Sequence, residues 1–211
     1  MEHRILPLGP IQTNAYVLLA RDAGQALVID APEGTFDRAS GLARDAGLTI
    51  AACLLTHGHW DHLQDGWKFN EAGIPVYGHP ADRDWFENPA MQAAFAPPDI
   101  KLNPVSIDHW LEDGQRLTLA GEAIEVRLVP GHAPGNCCFW FPDRQVVYAG
   151  DALFAGSVGR ADLPGGSFEQ LRDAIRTQLY TLPDETVVYP GHGPETFIGR
   201  EAVGNGLVLR A

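Results

Sequence analysis

Apolar positions in this chain fall into short runs closed by turn residues. Runs over 4–8, 14–20 and 26–30 read as strands, broken at Gly9-Pro10, Thr13-Asn14 and Asp22-Ala23-Gly24. A helical period replaces the strand pattern from about 35 to 46, ending at Gly47. The apolar run 49–55 then reads as a fully buried strand. A helix over 62–72 closes at Gly73, and a strand follows at 74–77. Residues 80–104 carry Pro89, Pro97, Pro98 and Pro104 among aromatic and small side chains, which predicts short helices, loop and a candidate lid over a site. Turns at 112–115 and 121–122 lead into strands at 116–119 and 123–130, an antiparallel meander. Strand-like runs at 125–130, 145–149 and 186–190 complete the pattern. Between the last two, the box Ser167-x-x-Gln170 opens a helix whose apolar stripe is Phe168, Leu171, Ala174, Ile175 and Leu179.

Four of these strands stop at a metal-ligand type of residue. The run 49–55 ends in Thr56-His57-Gly58-His59-Trp60-Asp61-His62, three imidazoles and a carboxylate in the pattern H-x-H-x-D-H. The other three end in Gly131-His132, Gly150-Asp151 and Gly191-His192. Imidazole and carboxylate together suit zinc, iron or manganese. A glycine before each of the last three permits close backbone approach and unusual dihedrals, and loops at one edge of a sheet converge. Five imidazoles and two carboxylates are enough for two cations about 3.5–4 Å apart that share a bridging carboxylate and keep positions open for water. We assign His57, His59 and His132 to one, Asp61, His62 and His192 to the other, and Asp151 to the bridge. His3, His79 and His109 fall outside the pattern and read as structural or surface residues. Arg160 and Asp162 read as a loop-ordering ion pair, and Trp60 either packs or lines the pocket.

Composition narrows the class. A chain of 211 residues supports one sizeable core, read as a single α+β domain over 1–211. Its net charge of −12 with 15 basic residues argues against a nucleic-acid or anionic-membrane surface, and bound divalent cations would offset part of it. Cys53, Cys137 and Cys138 form no C-x-x-C pair and read as reduced core thiols. No signal segment or membrane-length apolar run is present, so a cytoplasmic protein is expected.

The chain resembles metallo-β-lactamase-fold hydrolases, and among them the short, glyoxalase II-like group. The resemblance rests on Thr56-His-Gly-His-Trp-Asp-His62, Pro130-Gly-His-Ala-Pro-Gly135, Gly150-Asp-Ala-Leu-Phe154, Gly159-Arg-Ala-Asp-Leu-Pro-Gly-Gly166, Tyr189-Pro-Gly-His-Gly-Pro-Glu-Thr196 and Gln12-Thr13-Asn14-x-Tyr16. It implies an αβ/βα sandwich of two mixed sheets flanked by helices, a dimetal site with the ligand division above, and zinc as the first expectation. It further implies a thioester substrate of the S-lactoylglutathione type, with Asp61 binding its metal and orienting the nucleophile. Position 133 is Ala where the family usually has Thr. Only 19 residues (193–211) follow His192, too few for the helical C-terminal domain that helps full-length glyoxalase II hold glutathione. The expectation therefore covers the hydrolytic site and not glutathione specificity. Iron-dependent persulfide dioxygenases, with one iron, and lactone or β-lactam hydrolases share the fold and are the alternatives.

Overall fold

The computed structural model describes residues 1–210. The chain divides into two compact units, Met1–Leu111 with Thr118–Gly121, and Glu112–Leu117 with Glu122 onward.

The first unit holds β1 (Glu2–Leu8), β2 (Thr13–Ala20), β3 (Gln25–Ile29), α1 (Thr35–Asp45), β4 (Thr49–Leu54), α2 (Trp60–Leu63), α3 (Gly66–Glu71), β5 (Val76–Gly78), α4 (Arg83–Glu87) and β6 (His109–Trp110). The six strands form one sheet in sequence order. β1 to β3 pair antiparallel, whereas β3, β4, β5 and β6 run parallel. Every residue of β2 is buried, as are Ala26, Leu27, Val28 and Ile29 of β3, which explains their unbroken apolar runs. Val17, Val28, Cys53, Leu63, Phe69 and Phe86 share the core of this unit. Because β3 and β4 are parallel with Ile29 opposite Leu54, Asp30 and the Thr56 loop leave the sheet at the same end.

The helix expected over 62–72 is two helices. Asp65 breaks it, since its N–H donates to the Ala31 carbonyl at 2.8 Å instead of continuing a helical ladder. Its carboxylate accepts the N–H groups of Gly34 and Phe36, each at 3.0 Å, and so satisfies the start of α1. Gly66 follows because a Cβ there would lie 2.9 Å from the Val105 methyls.

The second unit contains β7 (Arg116–Leu119, its first half), β8 (Glu122–Leu128), β9 (Cys137–Phe141), β10 (Val146–Gly150), β11 (Leu153–Phe154), β12 (Ser157–Val158), α5 (Phe168–Ala174), β13 (Val187–Pro190), β14 (Thr196–Phe197) and α6 (Ile198–Gly204). The larger sheet has the order β14-β13-β10-β9-β8-β7, and β10 runs parallel to β13. Gly150-Asp151 and Gly191-His192 thus emerge at the same end of the sheet. β9, not foreseen, lies between β8 and β10 and antiparallel to both.

Ser167 caps α5 by accepting the Gln170 N–H at 3.3 Å, and Leu171, Ile175 and Leu179 are fully buried. Phe168 departs from the expected stripe and is exposed. After Ala174 the helix widens to a π turn over Ile175–Leu179, closed by the Tyr180 N–H on the Ile175 carbonyl. Cys53, Cys137 and Cys138 are buried thiols not joined in a disulfide. Among the described residues no helix is long and apolar enough to cross a membrane.

Candidate metal centre

In the first unit the H-x-H-x-D-H segment runs from the end of β4 into α2, and Asp30, at the end of β3, organises it. Asp30 is buried and adopts φ +60°, a left-handed conformation that Asp tolerates better than most residues. Its Oδ1 accepts the Thr56 N–H at 2.8 Å, and both oxygens lie within 3.0 Å of the Thr56 hydroxyl. Its Oδ2 faces His62 Nδ1 at 2.8 Å.

These bonds fix the tautomers. A carboxylate only accepts, so the Thr56 hydroxyl donates to Asp30 and its oxygen accepts the Nδ1 proton of His57 at 3.0 Å. His62 likewise gives its Nδ1 proton to Asp30. In the neutral form each ring then carries its lone pair on Nε2. The His57 Nε2 points at His59 Nδ1, 3.0 Å away. The His62 Nε2 points at Asp61 Oδ2, 3.3 Å away, and that oxygen also accepts the Thr13 hydroxyl at 2.7 Å.

The second unit repeats the logic. His132 gives its Nδ1 proton to the Arg160 carbonyl at 2.7 Å, leaving Nε2 aimed at Asp151 Oδ2, 3.5 Å away. His192 Nε2 faces the same oxygen at 3.6 Å. Gly131 and Gly150 both take positive φ. Gly159 is required by crowding, since a Cβ there would sit 1.9 Å from the Asp151 carbonyl oxygen and 2.9 Å from His132 Nδ1. Within each unit, then, imidazole nitrogens and carboxylate oxygens converge at 3.0–3.6 Å, a spacing and donor chemistry that suit a divalent cation. A tetrahedral ion bound at about 2.0–2.1 Å sets neighbouring donors about 3.3 Å apart, close to these separations. The donor set fits divalent metal, and all seven residues belong to groups able to hold an ion.

The first unit brings together His57, His59, Asp61 and His62, and the second His132, Asp151 and His192. The other histidines stay apart from both sets. His79 caps the turn at Pro80–Asp82 through its Nδ1, the exposed His109 stacks on Tyr77, and His3 packs edge-on against Tyr16. Trp60 is buried. The exposed Arg160 and Asp162 side chains form a bidentate pair at 2.7 Å, which holds the Asp162 carboxyl down to about 2. Burial pushes the Cys53 and Cys138 thiols well above their usual range, which suits inert core residues.

Sequence reasoning missed Asp30, Asp82 and Gln92. Asp30 carried the same signal as the ligands, a polar residue directly after a buried strand. Asp82 and Gln92 lie in the proline-rich segment, where no periodicity marks them. Asp82 accepts the Gly58 N–H at 2.9 Å. Gln92 accepts the Trp60 N–H at 2.7 Å and donates to the Gly58 carbonyl at 2.8 Å.

Known proteins carry the same framework. Residues 8–192 match the model of the metallo-β-lactamase superfamily. The hydroxyacylglutathione hydrolase GloC of Haemophilus influenzae is 34% identical over 209 residues, 97% of each chain. The crystal structure of BLEG-1 B3 metallo-β-lactamase superposes with a TM-score of 0.89 at 36% identity, over 98% of this chain and 99% of that one. TTHA1623, solved in a di-iron-bound form, gives 0.82 at 38% identity, covering 96% and 98%. These matches show the fold expected from the sequence, with two mixed sheets and flanking helices, and the chain belongs to the metallo-β-lactamase superfamily.

Proposed function

We propose that this protein is a metal-dependent hydrolase of thioesters of the S-lactoylglutathione type. The observation that carries the hydrolase reading is the close approach of the His57, His59, His62, His132 and His192 ring nitrogens to one another or to the Asp61 and Asp151 carboxylates. Buried imidazoles and carboxylates so placed suit divalent cations. We assign His57, His59 and His132 to one ion and Asp61, His62 and His192 to the second, with Asp151 bridging. Three donor sets support this division: His57, His59 and His132; His57, His62 and Asp151; and Asp61, His62 and His192. The middle set takes one histidine from each ion together with Asp151, as a bridge requires.

When bound, two divalent cations supply a nucleophilic water at neutral pH and Lewis acidity for the scissile carbonyl. The protein's own part is positioning. The Thr13 hydroxyl fixes one oxygen of Asp61, so the carboxylate is oriented to accept a proton from the attacking water. Asp30, directly for His62 and through the Thr56 hydroxyl for His57, holds each ring by its Nδ1 and turns Nε2 toward the other ligands. A thiol has a pKa near 8.5, so the leaving group departs as thiolate and no strong general acid is required. The name of GloC, a hydroxyacylglutathione hydrolase similar to this chain over nearly its full length, supports the thioester class. A soluble, cytoplasmic location accords with such a substrate.

The test is hydrolysis of S-lactoylglutathione by metal-loaded protein, with His132→Ala as control. Turnover that vanishes in the variant supports the reading. Absence of turnover in protein carrying two ions overturns the thioester assignment. Similarity to BLEG-1 favours β-lactam hydrolysis as the second reading, and turnover of a cephalosporin in the same preparation would select it. Oxygen uptake with glutathione persulfide would instead select a dioxygenase.

A further inference from the structure

The geometry points to Gln92 as a positioning residue for His59, acting through backbone and not through the imidazole. The His59 carbonyl accepts the His62 N–H at 3.0 Å, and the peptide groups of Gly58 and Trp60 on either side of it are held by the proline-rich segment that follows β5. The Gln92 carboxamide spans His59, accepting the Trp60 N–H at 2.7 Å on one side and donating to the Gly58 carbonyl at 2.8 Å on the other. Asp82 accepts the Gly58 N–H at 2.9 Å. The Trp85 indole lies nearly parallel to the His59 ring, with centroids 4.8 Å apart and planes at 22°. Gln92 is fully buried, and a side-chain amide so placed persists only when both its donor and its acceptor are used. Gly58 is part of the device, because a Cβ there would come within 3.0 Å of the Trp85 Cβ and 3.1 Å of the Asp82 Cβ.

His57 and His62 depend on a different support, the Asp30 carboxylate with the Thr56 hydroxyl. The support of His59 is therefore separable from theirs. Loss of the Gln92 bracket releases His59, a ligand of one ion only, and leaves Asp61 and His62 in place. Gln92 thus sets the affinity of the His57-His59-His132 position selectively. This inference rests on the metal assignment proposed above.

The experiment is zinc titration of metal-free protein against a chromophoric chelator, comparing wild type with Gln92→Met, which keeps the volume and removes both bonds. The expected result is two tight equivalents in wild type. In the variant one equivalent is weakened about 10–100-fold, as typical for loss of a ligand's outer support, and the other is unchanged. Two unchanged equivalents in Gln92→Met overturn the role of Gln92. Equal weakening of both also overturns it, because a loosened fold and not a positioned ligand would then be the cause. Failure of wild type to bind two ions overturns the metal assignment itself. Amide exchange in wild-type, metal-free protein gives a readout independent of the variant. A Trp60 N–H that is slow to exchange supports the bracket, and one that exchanges as fast as an open loop contradicts it.

Discussion

His62 in the first unit and His132 in the second do the same thing with different support. Each gives away its Nδ1 proton and turns Nε2 toward a carboxylate. His62 gives that proton to the buried side chain of Asp30, whereas His132 gives it to the backbone carbonyl of Arg160. The segment that carries His62 is held by further buried side chains, Thr13 on Asp61, Thr56 on Asp30 and His57, and Asp82 and Gln92 on Gly58 and Trp60. Around His132 they are glycines, Gly131 with positive φ and Gly159 pressed against Asp151. The first set is held by chemistry that a side-chain substitution removes. The second is held by chain path, so it should answer to added volume and ignore changes in neighbouring side-chain chemistry.

The largest effect is expected from Gly159→Ala. Its Cβ would fall 1.9 Å from the Asp151 carbonyl oxygen, an overlap with backbone that no rotamer relieves. We expect a loss of about 3 kcal/mol or more, with metal content falling in parallel, measured by thermal unfolding and elemental analysis. A stable variant with full metal would break the claim that the second set is held by chain path.

Next comes Asp30→Asn, which keeps tolerance of positive φ while replacing one acceptor oxygen with a donor. Either Thr56 or His62 then faces an N–H group. The expectation is a loss of about 2 kcal/mol, and metal affinity lower by about 10–100-fold, read by denaturant unfolding and chelator competition. An unchanged affinity would remove Asp30 from its organising place.

Thr13→Val is isosteric and deletes the hydroxyl bond to Asp61 Oδ2. It should cost about 1 kcal/mol, and thioester turnover should fall more than substrate affinity, since Asp61 stays in place but is less well oriented. A change confined to KM would contradict that role.

The smallest effect belongs to Arg160→Ala. The side chain pairs with Asp162 in solvent, and it is the backbone carbonyl that bonds His132. Stability within about 0.5 kcal/mol of wild type and unchanged metal content are expected. A large loss would show that the side chain, and not the chain path, supports His132.

The same contrast explains what was legible in the sequence. Ligands that follow buried strands announced themselves, because an apolar run closing on Gly-His or Gly-Asp is a local signal. β2, β3, β4, β10 and β13 were visible for the same reason. β9 escaped because no ligand type of residue directly follows it, although Pro134-Gly135-Asn136 and Pro142 bound its five residues. The break between α2 and α3 depends on an Asp65 bond to Ala31, distant in sequence and invisible to helical periodicity. Asp82 and Gln92 act through Gly58 and Trp60 across 24 and 32 positions, in a segment whose prolines hide its pattern. Where the tertiary partner lies far along the chain, a residue's role is not readable from its neighbours.

The central claim, that the two sets of ligands serve one dimetal hydrolytic site, is tested most directly by the rate of S-lactoylglutathione hydrolysis as metal is added back to metal-free protein. The account predicts a rate that rises with added ion and levels at two equivalents per chain. A rate independent of added metal, or none at two bound equivalents, would contradict it.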